Sequence, residues 1–230
     1  MSIEKMRILA ELHDKGWSLA TGVGFTDGDA IDEVALRDLI GLVGRPSSRD
    51  GDRVVWPVRP RSARPGATFS MRSGAAELHT DAAYRADPEA WVALFCVRPA
   101  RDGGLSILLT VDDLMFGLPD DLESELRRPT WRWRPPEVFG GDVTPPHPVL
   151  SSGGTVRWRY DTLVPTAQQS ASAQAFRDHL AGHPGIQRMA LPTDSVLFVD
   201  NRRVLHGRTA FSDPDRLLLR VRLRSDARSR

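Results

Sequence analysis

A single cysteine, Cys96, stands in the 230 residues, which excludes an internal disulfide and any cysteine-rich zinc or iron–sulfur centre. A metal in this chain therefore needs histidine and carboxylate ligands, and one thiol fits a reducing compartment. Equally missing is an uninterrupted run of about 20 apolar residues. The opening Met1-Ser2-Ile3-Glu4-Lys5 leads into a charged segment rather than an apolar signal core. The expectation is a cytoplasmic protein with no membrane span. Nor is there an excess of one charge: 31 basic residues face 30 acidic ones, so no global field argues for nucleic acid or an anionic membrane as partner. A partner must be argued from a site, and the sequence leaves the oligomeric state open.

The 40% hydrophobic content suits one main core, and residues 1–230 are read as a single domain. In Ile3 to Lys15, Met6, Leu9 and Leu12 recur at steps of three and Gly16 follows as a stop, which predicts a short amphipathic helix. Trp17 to Val23 reads as a strand. Asp27 and Asp29 can cap a second helix carrying Ile31, Val34, Leu36, Leu39, Ile40 and Val43, ending near Gly44-Arg45-Pro46. Ser47 to Arg64 is rich in Ser, Arg, Asp, Gly and Pro and reads as a surface excursion. Short β-forming segments follow, at Trp91 to Val97, Ser106 to Val111, Thr155 to Tyr160, Ser195 to Val199 and Leu217 to Leu223, with turn residues between them. Such spacing favours a barrel or sandwich, mainly β with flanking helices. Gln168 to Leu180 is the one later helix. Trp131-Arg132-Trp133-Arg134-Pro135-Pro136 reads as one buried and one wet face, with a lid as second choice.

The chemistry gathers around Glu77-Leu78-His79-Thr80-Asp81. A strand alternates faces, so His79 and Asp81 point one way while Leu78 and Thr80 point the other. A second histidine would complete the two-His, one-carboxylate triad of non-haem Fe(II) oxygenases, which leaves adjacent positions open. His206 is the candidate, just past the apolar strand Val196 to Val199. His13, His147, His179 and His183 lie in helical, loop or turn contexts and read as surface or structural residues.

Two blocks resemble the taurine dioxygenase and clavaminate synthase-like Fe(II)/2-oxoglutarate oxygenases. The first is Leu78-His79-Thr80-Asp81-Ala82-Ala83-Tyr84, with Leu94-Phe95-Cys96-Val97-Arg98 and Gly103-Gly104-Leu105-Ser106 after it. The second is Val199-Asp200-Asn201-Arg202-Arg203-Val204-Leu205-His206-Gly207-Arg208-Thr209-Ala210-Phe211, followed by Arg216-Leu217-Leu218-Leu219-Arg220. The resemblance covers about Ser70 to Leu109 and Thr193 to Arg222 and is loose between them. It implies a double-stranded β-helix, or jelly-roll, with iron held by His79, Asp81 and His206.

It further implies that 2-oxoglutarate chelates the iron through its C1 carboxylate and C2 keto oxygen, leaving one position for O₂, while its C5 carboxylate needs a cation. Arg220, fourteen residues after His206, stands at the family's usual offset and is the cation expected, with Arg216 opening the same segment. A guanidinium fork binds a carboxylate bidentately. Arg222 and Arg224 read as a solvated edge. Ser106, twenty-seven residues after His79, is the hydroxyl expected at the same carboxylate, with Thr110 in reserve. Asp200 and Asn201 are read as orienting the His206 ring or pinning its turn. The implied reaction splits oxoglutarate to succinate and CO₂ and hydroxylates a small molecule, by analogy one derived from an amino acid. Arg72, Ser73, Glu77, Arg159 and Asp161 are the candidates to touch it. A cupin-like metal hydrolase or isomerase would need no anion-binding arginine, and a nucleic-acid-binding module would not balance its charges; both are the weaker readings.

Overall fold

The Ser195–Asp200 strand is buried along its whole length, because both of its faces are covered: Val196 and Phe198 enter one apolar cluster, Leu197 and Val199 another. Trp91–Arg98 divides the same way, with Ala93, Phe95 and Val97 on one side and Cys96 on the other. These strands lie in the middle of the larger sheet of the computed structural model, which describes residues 3–48, 53–61 and 68–225. The order is Trp17–Thr21, Ser195–Asp200, Trp91–Arg98, Leu217–Arg224 and Arg45–Pro46, with Val55–Val58 also paired to Leu217–Arg224. Every pairing is antiparallel.

The smaller sheet runs Gln187–Met189, Ser106–Thr110, Val204–Arg208, Ala76–His79 and is antiparallel too. Leu108 and Val204 from this sheet pack with Cys96, Leu197, Val199 and Leu218 from the larger one, so an apolar layer joins two facing sheets. Helices cover the outsides. Ile8 and Leu12 of the Ile3–Lys15 helix, with Leu36 and Ile40 of Glu33–Ile40, lie on the larger sheet. Ala173, Phe176 and Leu180 of Ala167–Ala181 lie behind Leu78, Leu109 and Leu205 of the smaller. This is the jelly-roll with flanking helices that the sequence led us to expect.

The expected helices at the start and near Gln168 form, the latter entered through a capping box of Thr166 and Gln169. The second helix differs. Its N-cap is Asp32, whose carboxylate accepts the N–H groups of Val34 and Ala35 at 2.9 and 3.0 Å. Asp27 instead pairs in a small hairpin, Thr26–Asp27 with Ala30–Ile31, and Asp29 forms an ion pair with Arg98. The excursion after Ser47 contributes Val55–Val58 to the sheet, while its residues 49–52 and 62–67 lie outside the described residues. Of Thr155 to Tyr160 only Thr155–Val156 is strand. Trp131 and Trp133 are fully buried while Arg132 and Arg134 are exposed, as alternation on two faces requires.

Asp194 sets the entry into the central strand. It takes a left-handed φ of 57°, and its carboxylate accepts backbone N–H groups of Gly24, Phe25 and Thr26 at 2.8, 2.9 and 3.3 Å. Asp194→Ala removes three acceptor contacts and keeps the unfavourable φ, so urea unfolding should show a loss of about 2 kcal/mol. A loss under about 0.5 kcal/mol, the range of ordinary surface changes, refutes this role.

Candidate metal centre

Cross-strand register brings two histidines together. His206 and His79 are direct partners between the Val204–Arg208 and Ala76–His79 strands, which puts both side chains on one face, and their ring centroids lie 4.7 Å apart. The Ala76–His79 strand then stops. Thr80 N–H donates to the Trp158 carbonyl at 2.7 Å, and Ala82 turns with φ 57°. Between them, Asp81 is clamped through its backbone: its N–H donates to Asn201 Oδ1 at 2.7 Å, and Asn201 Nδ2 donates to the carbonyls of Asp81 and Glu89, each at 2.9 Å. One ligand atom each from His79, Asp81 and His206 lies within 4.8 Å of the other two, and among the described residues no other such group of His, Cys, Asp or Glu forms.

The donor set suits a divalent ion. His79 Nδ1 sits 2.8 Å from the Glu77 carbonyl; a carbonyl only accepts, so Nδ1 carries a proton and Nε2 is the nitrogen turned toward the cluster. His206 Nδ1 is buried with no hydrogen-bond partner among the described residues. Burial, and after it the neighbouring His79, push the His206 ring down to a pKa of about 3, so it stays neutral, the form that ligates. Burial opposes ionisation of Asp81, but the Arg220 and Arg222 guanidinium groups hold its carboxyl well below the usual carboxylate range. Two imidazoles and one carboxylate are what the two-His, one-carboxylate iron site requires.

The arginines divide into two sets. Arg220 Nη1 lies 3.2 Å and Arg222 Nε 3.0 Å from Asp81 Oδ2. Arg222, expected on a solvated edge, is buried instead: the Leu217–Arg224 strand is flanked on both sides, and its alternation sends Arg220 and Arg222 to the same face. Arg216 and Arg208 also line the cavity with His79, His206 and Ser106. Arg216 is 3% exposed, and its Nη1 is buried without a hydrogen-bond partner among the described residues. Thr110 is occupied elsewhere, capping a short helix by accepting from Asp113 N–H. Neither Asp200 nor Asn201 orients the His206 ring: Asn201 holds Asp81, while Asp200 accepts Arg202 N–H and pairs with Arg203.

The substrate-side candidates separate as well. Glu77 pairs with Arg177 of the Ala167–Ala181 helix, behind the small sheet, and Arg72 and Ser73 are exposed, their carbonyls accepting from Arg208 and from Phe211 N–H. The structure brings none of these three side chains into the cavity wall. Arg159 is buried and grips Asp161 with two bonds of 2.9 and 3.2 Å. Its guanidinium lies 4.9 Å from the Phe69 ring centroid, and Phe69 lies 5.1 Å from His79. His179 and His183 bond to the carbonyls of Leu114 and Phe116 and are structural.

No curated protein sequence matches the chain. Among solved structures it is similar to asparagine oxygenase in complex with Fe(II), 2S,3S-3-hydroxyasparagine and succinate: TM-score 0.78, 20% identity, 97% of this chain and 79% of that one. It is also similar to the non-heme iron oxygenase OrfP with Fe, succinate and (3S)-hydroxy-L-Arg: TM-score 0.73, 22% identity, 98% of this chain and 79% of that one. A further OrfP structure, with Fe and alpha-ketoglutaric acid, gives TM-score 0.75 at 20% identity over 99% and 82% of the two chains. At these identities the likeness is one of fold. The sequence profile of the taurine catabolism dioxygenase TauD, TfdA family matches residues 5–222, and the chain belongs to that family.

Proposed function

We propose that this chain is an Fe(II)- and 2-oxoglutarate-dependent dioxygenase that hydroxylates an unactivated C–H bond of a small amino-acid-like molecule. In this reading His79, Asp81 and His206 hold the iron, and Arg216 with Ser106 receives the distal carboxylate of oxoglutarate. The observation that carries it is the convergence of the three ligand atoms to within 4.8 Å in a cavity that Arg216 and Ser106 also line. The bound iron, with oxoglutarate and O₂, supplies the oxidation, in which the co-substrate becomes succinate and CO₂ and one oxygen atom enters the substrate.

Arg216 is preferred over Arg220 as the distal cation on physical grounds. Arg220 is engaged with the ligand carboxylate at 3.2 Å, whereas Arg216 makes no hydrogen bond or ion pair among the described residues and keeps a buried, partnerless Nη1. A guanidinium buried without an anion is costly, and a carboxylate aimed at it, with the Ser106 hydroxyl beside it, relieves that cost. Burial around the cavity keeps bulk water from competing. Hydroxyasparagine and hydroxy-L-Arg in the asparagine oxygenase and OrfP structures support an amino-acid-like substrate, and the Arg159–Asp161 pair near Phe69 offers both charges to a zwitterion. No helix among the described residues is long and apolar enough to cross a membrane, and a ferrous centre suits the reducing cytoplasm.

His79→Ala and His206→Ala should each abolish Fe(II)-dependent succinate formation while the fold survives; wild-type succinate yield from His206→Ala refutes the ligand set. Asp81→Ala should abolish turnover and also lower unfolding free energy by about 3 kcal/mol, since two buried guanidinium groups lose their carboxylate. Arg216→Ala should raise the KM for oxoglutarate roughly 100-fold, about 3 kcal/mol, with little change in iron affinity. Arg220→Ala should chiefly weaken iron binding, and the opposite pattern reverses the two assignments. Incubation with a panel of amino acids, Fe(II), oxoglutarate and O₂ should give one product heavier by an oxygen atom; succinate without any hydroxylated amino acid points to another substrate class.

A further inference from the structure

Arg208 is a second buried cation with no acid paired to it among the described residues. It is 7% exposed, and the groups that meet its guanidinium are neutral. Nε and Nη2 donate to the Gly74 carbonyl at 3.3 and 3.0 Å, and Nη2 also donates to the Arg72 carbonyl. The Phe211 ring centroid lies 5.0 Å from it, and the same ring lies 4.9 Å from the guanidinium of Arg216. Burial, and then repulsion from Arg216, push Arg208 down to about 10. A ring face compensates a cation only in part, so two neighbouring guanidinium groups are left facing one cavity without a carboxylate paired to either among the described residues.

Strand register says what they share. Arg208 and Ser106 are direct partners between the Val204–Arg208 and Ser106–Thr110 strands, so their side chains lie side by side on one face, and both line the cavity that holds His79 and His206. Along its own strand Arg208 follows His206 by two residues and points the same way. Its Nη1 makes no hydrogen bond among the described residues.

We infer that Arg208 is a co-substrate-binding residue: with Arg216 and Ser106 it forms a two-guanidinium seat for the distal carboxylate of 2-oxoglutarate. The inference rests on the dioxygenase reading above and adds a residue to it. Arg208 thereby ties the co-substrate to residues 72–74 at the cavity rim, because the guanidinium that meets the carboxylate is fastened to those carbonyls.

The test compares 2-oxoglutarate with 2-oxovalerate, which has the same carbon chain but ends in methyl, by calorimetric titration of Mn(II)-loaded protein. Wild type should prefer 2-oxoglutarate by at least roughly 100-fold. Arg208→Gln should cut that preference about tenfold or more through weaker 2-oxoglutarate binding alone, with 2-oxovalerate unchanged, and Arg208→Lys should recover part of it. A purely structural arginine would weaken both ligands alike, so an unchanged preference in folded Arg208→Gln overturns the inference. If wild type shows no preference, the dioxygenase reading fails with it. Should Arg208→Gln not fold, wild-type crystals soaked with Mn(II) and 2-oxoglutarate decide: Nη1 within hydrogen-bond distance of the distal carboxylate sustains the inference, and a guanidinium turned away from it overturns it.

Discussion

The Asp81 carboxylate is the constraint on which the site depends. It is 1% exposed, yet it must remain charged to bind a metal, and a buried carboxylate stays ionised only with cations against it. Those cations come from the other sheet. Asp81 follows the Ala76–His79 strand of the smaller sheet, while Arg220 and Arg222 belong to Leu217–Arg224 of the larger. The ion pairs therefore bridge the two layers at the point where the apolar filling gives way to the cavity. Backbone placement of Asp81 depends in turn on Asn201, which spends its amide on Asp81 and Glu89. The candidate ligand Asp81 is thus also a cross-layer fastener, and the stability of the jelly-roll and the charge state of the site are coupled.

Much of this is legible in the order of residues. Runs of β-forming residues bounded by turn residues mark the long strands, and helical spacing marks Ile3–Lys15. The two-residue spacing of His79 and Asp81 is enough by itself to put two ligand types close together. The distal histidine needs the family resemblance, because nothing local says that residue 206 lies against residue 79; that is a fact of strand pairing. Asp32 rather than Asp27 or Asp29 caps the second helix because a hairpin intervenes, and a two-residue hairpin leaves almost no trace in hydrophobic patterning. Arg222 is readable in principle, since alternation puts it on the Arg220 face. It looks like an edge residue in the sequence because the partner strand Val55–Val58 lies in a segment of loop-like composition. Asn201 carries no signal beyond its place in Asp200-Asn201-Arg202-Arg203.

Glycines explain how the inner strands approach closely enough. A Cβ at Gly207 would lie 2.4 Å from the Ala76 carbonyl oxygen, a distance no side chain tolerates. The register between the two strands also shifts between His206 and Arg208, an irregularity of the kind that re-aims side chains at sheet edges. The absence of a side chain at 207 and this shift let His206 face His79 while Arg208 still falls beside Ser106. Sequence, register and site geometry are one argument at this position.

Three arginines lining one cavity, with Arg222 behind Asp81, would be a poor way to stabilise a fold, since each desolvated guanidinium must find compensation. Arg220 and Arg222 find it in Asp81. Arg208 finds main-chain carbonyls, and both Arg208 and Arg216 lie against the face of Phe211, which holds them in place without neutralising them. A cation fixed in position but not matched in charge is preorganised for an incoming anion, because no partner has to be displaced and no side chain reoriented when that anion arrives. Electrostatics alone therefore makes the cavity polar in the directional sense: a carboxylate-balanced pair of arginines beside the candidate metal ligands, and beside Ser106 a pair that no carboxylate among the described residues balances. An acid with one end able to chelate a metal and the other end negatively charged satisfies both at once, and a substrate lacking the second charge would leave two buried cations unanswered.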